Sequence, residues 1–136
     1  MDFEEFNACS TLVYQFFACL DCRDHKFAAN LMAKDGVWHR QGKELRGPAA
    51  VLAALEERDP ARKTCHLVTN LQVDQSNQAT ARVRYYMTAY ETLIATDSTA
   101  SAPKMLGVRE CTDDLVLEDG QWRIECKKSH LVMPSA

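Results

Sequence analysis

The sequence predicts an α+β fold in which three helices come first and a mostly antiparallel sheet follows. Two observations carry this. Apolar residues recur at helical spacing only as far as Pro60, and beyond it the period falls to two. The links between the later strands are short in all but one place, which favours antiparallel neighbours over helical crossovers. At 136 residues, a single domain spanning 1–136 is expected, large enough to bury its own core without a metal or disulfide.

Each element has its own signal. Phe6, Val13, Phe16, Phe17 and Leu20 form an i, i+3, i+4 stripe, so the first helix runs from Phe3 to near Asp21. Asp24 is an N-cap for a second helix, with Phe27, Leu31 and Met32 facing inward and Asp35-Gly36 stopping it. A short strand over Val37–Arg40 turns at Gln41-Gly42. Gly47-Pro48 then opens a third helix through Val51, Leu52 and Leu55, ended by Asp59-Pro60. Residues 64–74 alternate as a strand, a second strand ends near Ala95, and a third covers Lys104–Glu118. Asp119-Gly120 marks a two-residue hairpin into a last strand from Trp122 to about Val132.

Composition excludes several functions. Apolar residues at 46% and charged residues at 26% describe an ordinary globular chain. A net charge of −3, with no basic run larger than Lys127-Lys128, argues against nucleic acid as a partner. The acidic start and the polar interruptions at Asn7, Ser10, Thr11 and Gln15 provide neither a secretory leader nor a membrane span, so a cytoplasmic protein is expected. Cys9, Cys19, Cys22, Cys65, Cys111 and Cys126 are then free thiols. Only Cys19 and Cys22 have metal-like spacing, without a second ligand pair, so no metal site is expected.

Strands this long must twist, and a curled sheet closed at one end by helices encloses a cone-shaped cavity for a small molecule. In strand 64–74, Cys65, Leu67, Leu71 and Val73 share one face and His66, Val68, Asn70 and Gln72 the other. The apolar face calls for burial, and a homodimer through the sheet is expected to supply it. An inward His66 therefore requires a bulge or two covered faces.

The order of these pieces resembles the SnoaL-like branch of the nuclear-transport-factor-2 superfamily. The resemblance rests on the initial helices, Asp35-Gly36-Val37-Trp38, Gly47-Pro48, Thr64-Cys65-His66 with Asn70, and the closing Gly120-Gln121-Trp122-Arg123-Ile124. It implies a cone-shaped α+β barrel. Lyases of that superfamily, such as scytalone dehydratase and hexachlorocyclohexane dehydrochlorinase, use an Asp at the end of the first helix and a His on the first long strand, here Asp21 and His66. Two positions depart from that pattern. Phe16 stands where a related bile-acid dehydratase has Tyr, and Met87 where the dehydratases place a second acid or His.

The resemblance implies a cofactor-independent lyase or isomerase, dehydratase-like, acting on a small, mostly apolar substrate. His66 is the general base, and Asp21 fixes its tautomer and stabilises the imidazolium. Phe16, Phe17, Trp38 and Tyr86 are expected to line the pocket. The alternative is a non-catalytic ligand-binding or dimeric scaffold module, as in ring-hydroxylating dioxygenase β subunits, which Phe16 and Met87 favour. Asp113-Asp114 is expected on the surface, since neighbours on a strand point to opposite faces and cannot share a proton. Arg82 and Arg84 read as a solvated strand face.

Overall fold

A computed structural model describes residues 1–135, Ser76 by its backbone alone. Its elements in order are α1 (Phe3–Asp21), α2 (His25–Asn30), β1 (Met32–Arg40), β2 (Lys43–Arg46), α3 (Gly47–Glu56), β3 (Arg62–Asn77), β4 (Thr80–Leu93), β5 (Lys104–Glu118) and β6 (Gln121–Pro134). The helices pack on one face of a six-stranded sheet ordered β2-β1-β6-β5-β4-β3. The sheet is not closed. β2 and β3 are its edges, and the cone expected from the sequence is completed by helices rather than by a strand ring.

α1 starts in a capping box, with the Asp2 carboxylate accepting from the Glu5 N–H at 2.8 Å and Glu5 accepting from the Asp2 N–H at 3.1 Å. Val13, Phe16, Phe17 and Leu20 are buried as expected, while Phe6 stays 41% exposed. Asp24 does cap α2, but that helix is a turn and a half. Phe27 points out to solvent, and Leu31 and Met32 are buried because the chain has already turned into β1.

The sequence reading missed most of this first hairpin. β1 is nine residues long, and Gln41-Gly42, both at positive φ, join it to β2. β1 also runs parallel to β6, with Val37 opposite Cys126 and Trp38 opposite Lys127. This parallel contact needs Gly36, where a Cβ would overlap the Ile124 carbonyl oxygen. Gly36→Ala should therefore lower stability by about 3 kcal/mol, read as a shift of the urea midpoint at unchanged slope.

A bulge decides how β3 presents its side chains. Thr69 pairs with Tyr86 and Gln72 with Arg84, so Asn70 and Leu71 together oppose the single residue Tyr85. Asn70 sits at φ 52°, a left-handed conformation that Asn tolerates. Before the bulge, Thr64, His66 and Val68 face the helices. After it, Leu71 and Val73 do. The apolar face drawn from strict alternation is thereby corrected: only Cys65 and Leu67 point outward, and Leu71 and Val73 pack against the core.

Candidate functional site

Asp21 is the last residue of α1, and its direction is set by how that helix stops. Arg23 takes a left-handed φ of 62°, and the N–H groups of Arg23 and Asp24 donate back to the carbonyls of Leu20 and Cys19. A carboxylate at a helix C-terminus is disfavoured by the dipole, so it needs donors. β3 supplies three. The His66 ring donates from Nδ1 to Oδ1 at 2.6 Å, the Thr64 hydroxyl donates to Oδ1 at 2.9 Å, and the His66 backbone N–H donates to Oδ2 at 2.9 Å. Thr64 in turn accepts from Arg58 Nη2 at 2.9 Å, while Arg58 Nη1 donates to the Leu20 carbonyl at 2.9 Å. The result is a connected chain, Arg58–Thr64–Asp21–His66, tying the end of α1 to the start of β3.

Burial pushes the Asp21 carboxyl up. The hydrogen bonds from His66, its charge and the Thr64 hydroxyl outweigh that and hold the group below its ordinary value of 3.8. A depressed carboxyl contributes stability that is present above the unfolded value and lost as pH falls through the folded one. The stability gap between the wild type and Asp21→Asn should therefore narrow on acidification from about pH 6 to pH 3, measured by urea unfolding at each pH.

His66, with its side chain 11% exposed, forms part of the wall of a cavity of about 290 Å³ between the helices and the sheet. Phe17, Leu20, Trp38, Leu55, Tyr85 and Met87 contribute the apolar part of that wall. The Phe17 ring lies 5.2 Å from the His66 ring, centroid to centroid, and holds its orientation. Phe17 and Trp38, expected at the pocket, are thus part of the cavity wall. Phe16 lies behind the wall, fully buried and edge-on to Phe17 and Trp38. Tyr86 requires correction: it is 36% exposed on the outer face of β4, and strand alternation puts Tyr85 in the cavity instead.

The larger departure is Asp113. It is wholly buried, not on the surface, and its Oδ2 accepts from Lys127 Nζ at 2.9 Å and from the Tyr85 hydroxyl at 3.0 Å. Lys127 Nζ also donates to the Tyr85 oxygen at 2.8 Å and lies 4.4 Å and 4.5 Å from the ring centroids of Phe16 and Phe17. Alternation was right that Asp113 and Asp114 face opposite ways. Cross-strand pairing with Lys127 is what admits the inner one to the core. Burial pushes the Asp113 carboxyl up, against the pull of Lys127 and Tyr85, and burial with the Asp113 charge pushes the Tyr85 hydroxyl well up. Asp114 meets Arg82 on the outer face at 2.7 Å, and Arg84 meets Asp74 at 2.9 Å, the solvated cations expected there. Cys111, also at the cavity, has its thiol pushed up to about 11 by burial, so it stays protonated and is a poor nucleophile.

Comparison with known proteins adds a family to this geometry. The SnoaL-like domain profile matches residues 2–127. The chain belongs to the SnoaL-like domain family. Among solved structures, this SnoaL-like chain is similar to a protein of unknown function from Mycobacterium tuberculosis, with a TM-score of 0.79 and 23% identity over 96% of this chain and 77% of the other. It is similar also to a protein assigned as a scytalone dehydratase from Novosphingobium aromaticivorans, with a TM-score of 0.81 and 21% identity over 95% and 85% of the two chains. A type 2 hexachlorocyclohexane dehydrochlorinase gives 0.81 and 15% over 98% and 89%. At these identities the likeness concerns the fold. No curated protein matches the SnoaL-like chain in sequence. Among the described residues, no helix is long and apolar enough to cross a membrane.

The sequence reading singled out His66, Phe17 and Trp38, which line one hollow, and Asp21, which stands behind the His66 ring and holds it. It missed Arg58, Thr64, Tyr85, Asp113 and Lys127. Thr64 alone had a usable signal, standing two residues before His66 on the same strand face. The others become neighbours only through pairings across the sheet or between a helix end and β3.

Proposed function

We propose that this SnoaL-like protein is a cofactor-independent lyase or isomerase of the dehydratase type, acting on a small organic molecule with a mostly apolar frame. The observation that carries the reading is the 2.6 Å contact between Asp21 Oδ1 and His66 Nδ1 at the wall of a cavity able to hold a guest. With Nδ1 donating to the carboxylate, Nε2 carries the lone pair and is the nitrogen left for the substrate. It removes a proton from a carbon already acidified by a neighbouring carbonyl or halogen, and the Asp21 carboxylate stabilises the imidazolium that forms. In elimination, the adjacent hydroxyl takes up the proton held on His66 Nε2 and leaves as water, or halide leaves as the anion, and the C–H electron pair becomes the new double bond. In isomerisation, the proton returns to a different carbon.

Structural likeness to a protein assigned as a scytalone dehydratase and to a dehydrochlorinase supports elimination as the reaction class. The hollow interior favours this reading over the non-catalytic scaffold, whose interior side chains would fill. A panel of cyclic hydroxy-ketones and chlorinated rings, incubated with the purified protein and followed by mass spectrometry, tests it. Loss of water or hydrogen chloride, or an isomeric product, in the wild type but not in His66→Ala supports the reading. Turnover unaffected by His66→Ala, or absent across the panel, rejects it.

A further inference from the structure

The charge of the cavity wall narrows the guest further, an inference that rests on reading this hollow as a substrate site. Arg40, Arg58, Arg62, Arg109, Lys127 and Lys128 all line it, and no Asp or Glu does among the described residues. Composition does not explain this, because the chain carries a net charge of −3. Carboxylates behind the wall neutralise two of the six: Glu91 meets Arg62 at 2.5 Å and Asp113 meets Lys127 at 2.9 Å. Among the described residues, the other four have no carboxylate within salt-bridge distance. Arg58 donates to a carbonyl and a hydroxyl, and Arg109 to the Ser129 hydroxyl and carbonyl. Such acceptors satisfy N–H groups without cancelling the charge.

Two of these cations, Arg40 and Lys128, have no polar partner among the described residues; Lys128 is exposed, and Arg40 is the one held partly inside the wall. It is partly buried at the cavity rim, between exposed His39 and Gln41, and its guanidinium stands 5.1 Å from the Trp38 ring centroid. Among the described residues, its side chain makes no hydrogen bond or ion pair. Stacking on Trp38 holds the planar group in place while leaving its donor edge free. Burial first, and then the nearby Arg62 charge, push its pKa down, against the smaller opposing pull of Glu57. Arg58 is pushed down the same way, by burial and then by Arg62, Arg23 and Arg40. A negative guest relieves both.

We infer that the cavity takes an organic carboxylate, with the apolar frame against Phe17, Leu20 and Met87 and the carboxylate on the guanidinium of Arg40. A planar fork meets a planar carboxylate through two parallel hydrogen bonds. A neutral ring of the same size forgoes that contact and leaves the excess positive charge in place.

Binding of 2-naphthoate and of its neutral isostere 2-naphthamide, compared by isothermal titration calorimetry, tests the inference. Naphthoate is expected to bind about tenfold tighter or better at low salt. That preference should shrink with added sodium chloride, disappear in Arg40→Gln and survive in part in Arg40→Lys. Equal affinity for the two probes, or no naphthoate binding at millimolar concentration, overturns it, as does a preference that persists undiminished in folded Arg40→Gln. The His66→Ala variant separates this inference from the catalytic one. It should keep the preference for naphthoate, so retained preference with His66-independent turnover defeats only the base assignment. Equal affinity of the wild type for the two probes with His66-dependent turnover defeats only the carboxylate assignment.

Discussion

His66→Ala lowers turnover by about 10²- to 10⁴-fold on any substrate the protein converts, because a positioned general base contributes that much to proton abstraction. Asp21→Asn falls in the same range. An amide at that position keeps the shape of the carboxylate but neither enforces the Nδ1–H tautomer nor stabilises the imidazolium. The two losses should not add. Since Asp21 acts through His66, the double variant should be close to His66→Ala alone, and the deficit should lie in kcat rather than KM. Exogenous imidazole restoring part of the His66→Ala rate would tie the loss to the missing base rather than to altered packing. Unchanged kcat in folded His66→Ala removes the catalytic role from the pair.

The second large effect concerns stability. Lys127→Ala leaves the fully buried Asp113 carboxylate facing only the Tyr85 hydroxyl, and such a deletion should lower stability by about 3–5 kcal/mol. Asp113→Ala strands the Lys127 charge among the rings of Phe16 and Phe17 and should lower it by a similar amount. Replacing the group whole tells a different story. Asp113→Leu, Lys127→Met and Tyr85→Phe together exchange a buried polar triangle for apolar packing of similar volume, and should recover most of the loss. Asp113 Oδ1 makes no hydrogen bond, so the native arrangement is itself incompletely satisfied. Urea midpoints at constant slope measure all three. A single deletion without effect would mean that the pair is solvated rather than buried.

Most of the architecture was legible because it depends on local pattern. The apolar stripe of α1, the Gly47-Pro48 start of α3 and the Asp119-Gly120 hairpin each carry their signal within a few residues. Where the reading failed, a single inserted residue or a distant partner was responsible. The bulge at Asn70 adds one position to β3 and moves Leu71 and Val73 to the inner face, which no period-two count can register. The short α2 and the long β1 were missed because β1 is stabilised by β6, nearly ninety residues later in the chain.

The site divides along the same line. Residue types and their order were enough to single out Asp21 and His66, through resemblance to a family whose lyases use such a pair. Their contact, and everything that makes it more than a contact, belongs to the tertiary structure. The helix end aims one carboxylate at one ring, and sheet register buries Asp113 with Lys127. Six cations scattered through an acidic chain come to face one hollow. Periodicity reports which way a side chain points relative to its neighbours along the chain. Charge and burial depend on what stands opposite, and that is settled only when distant strands pair.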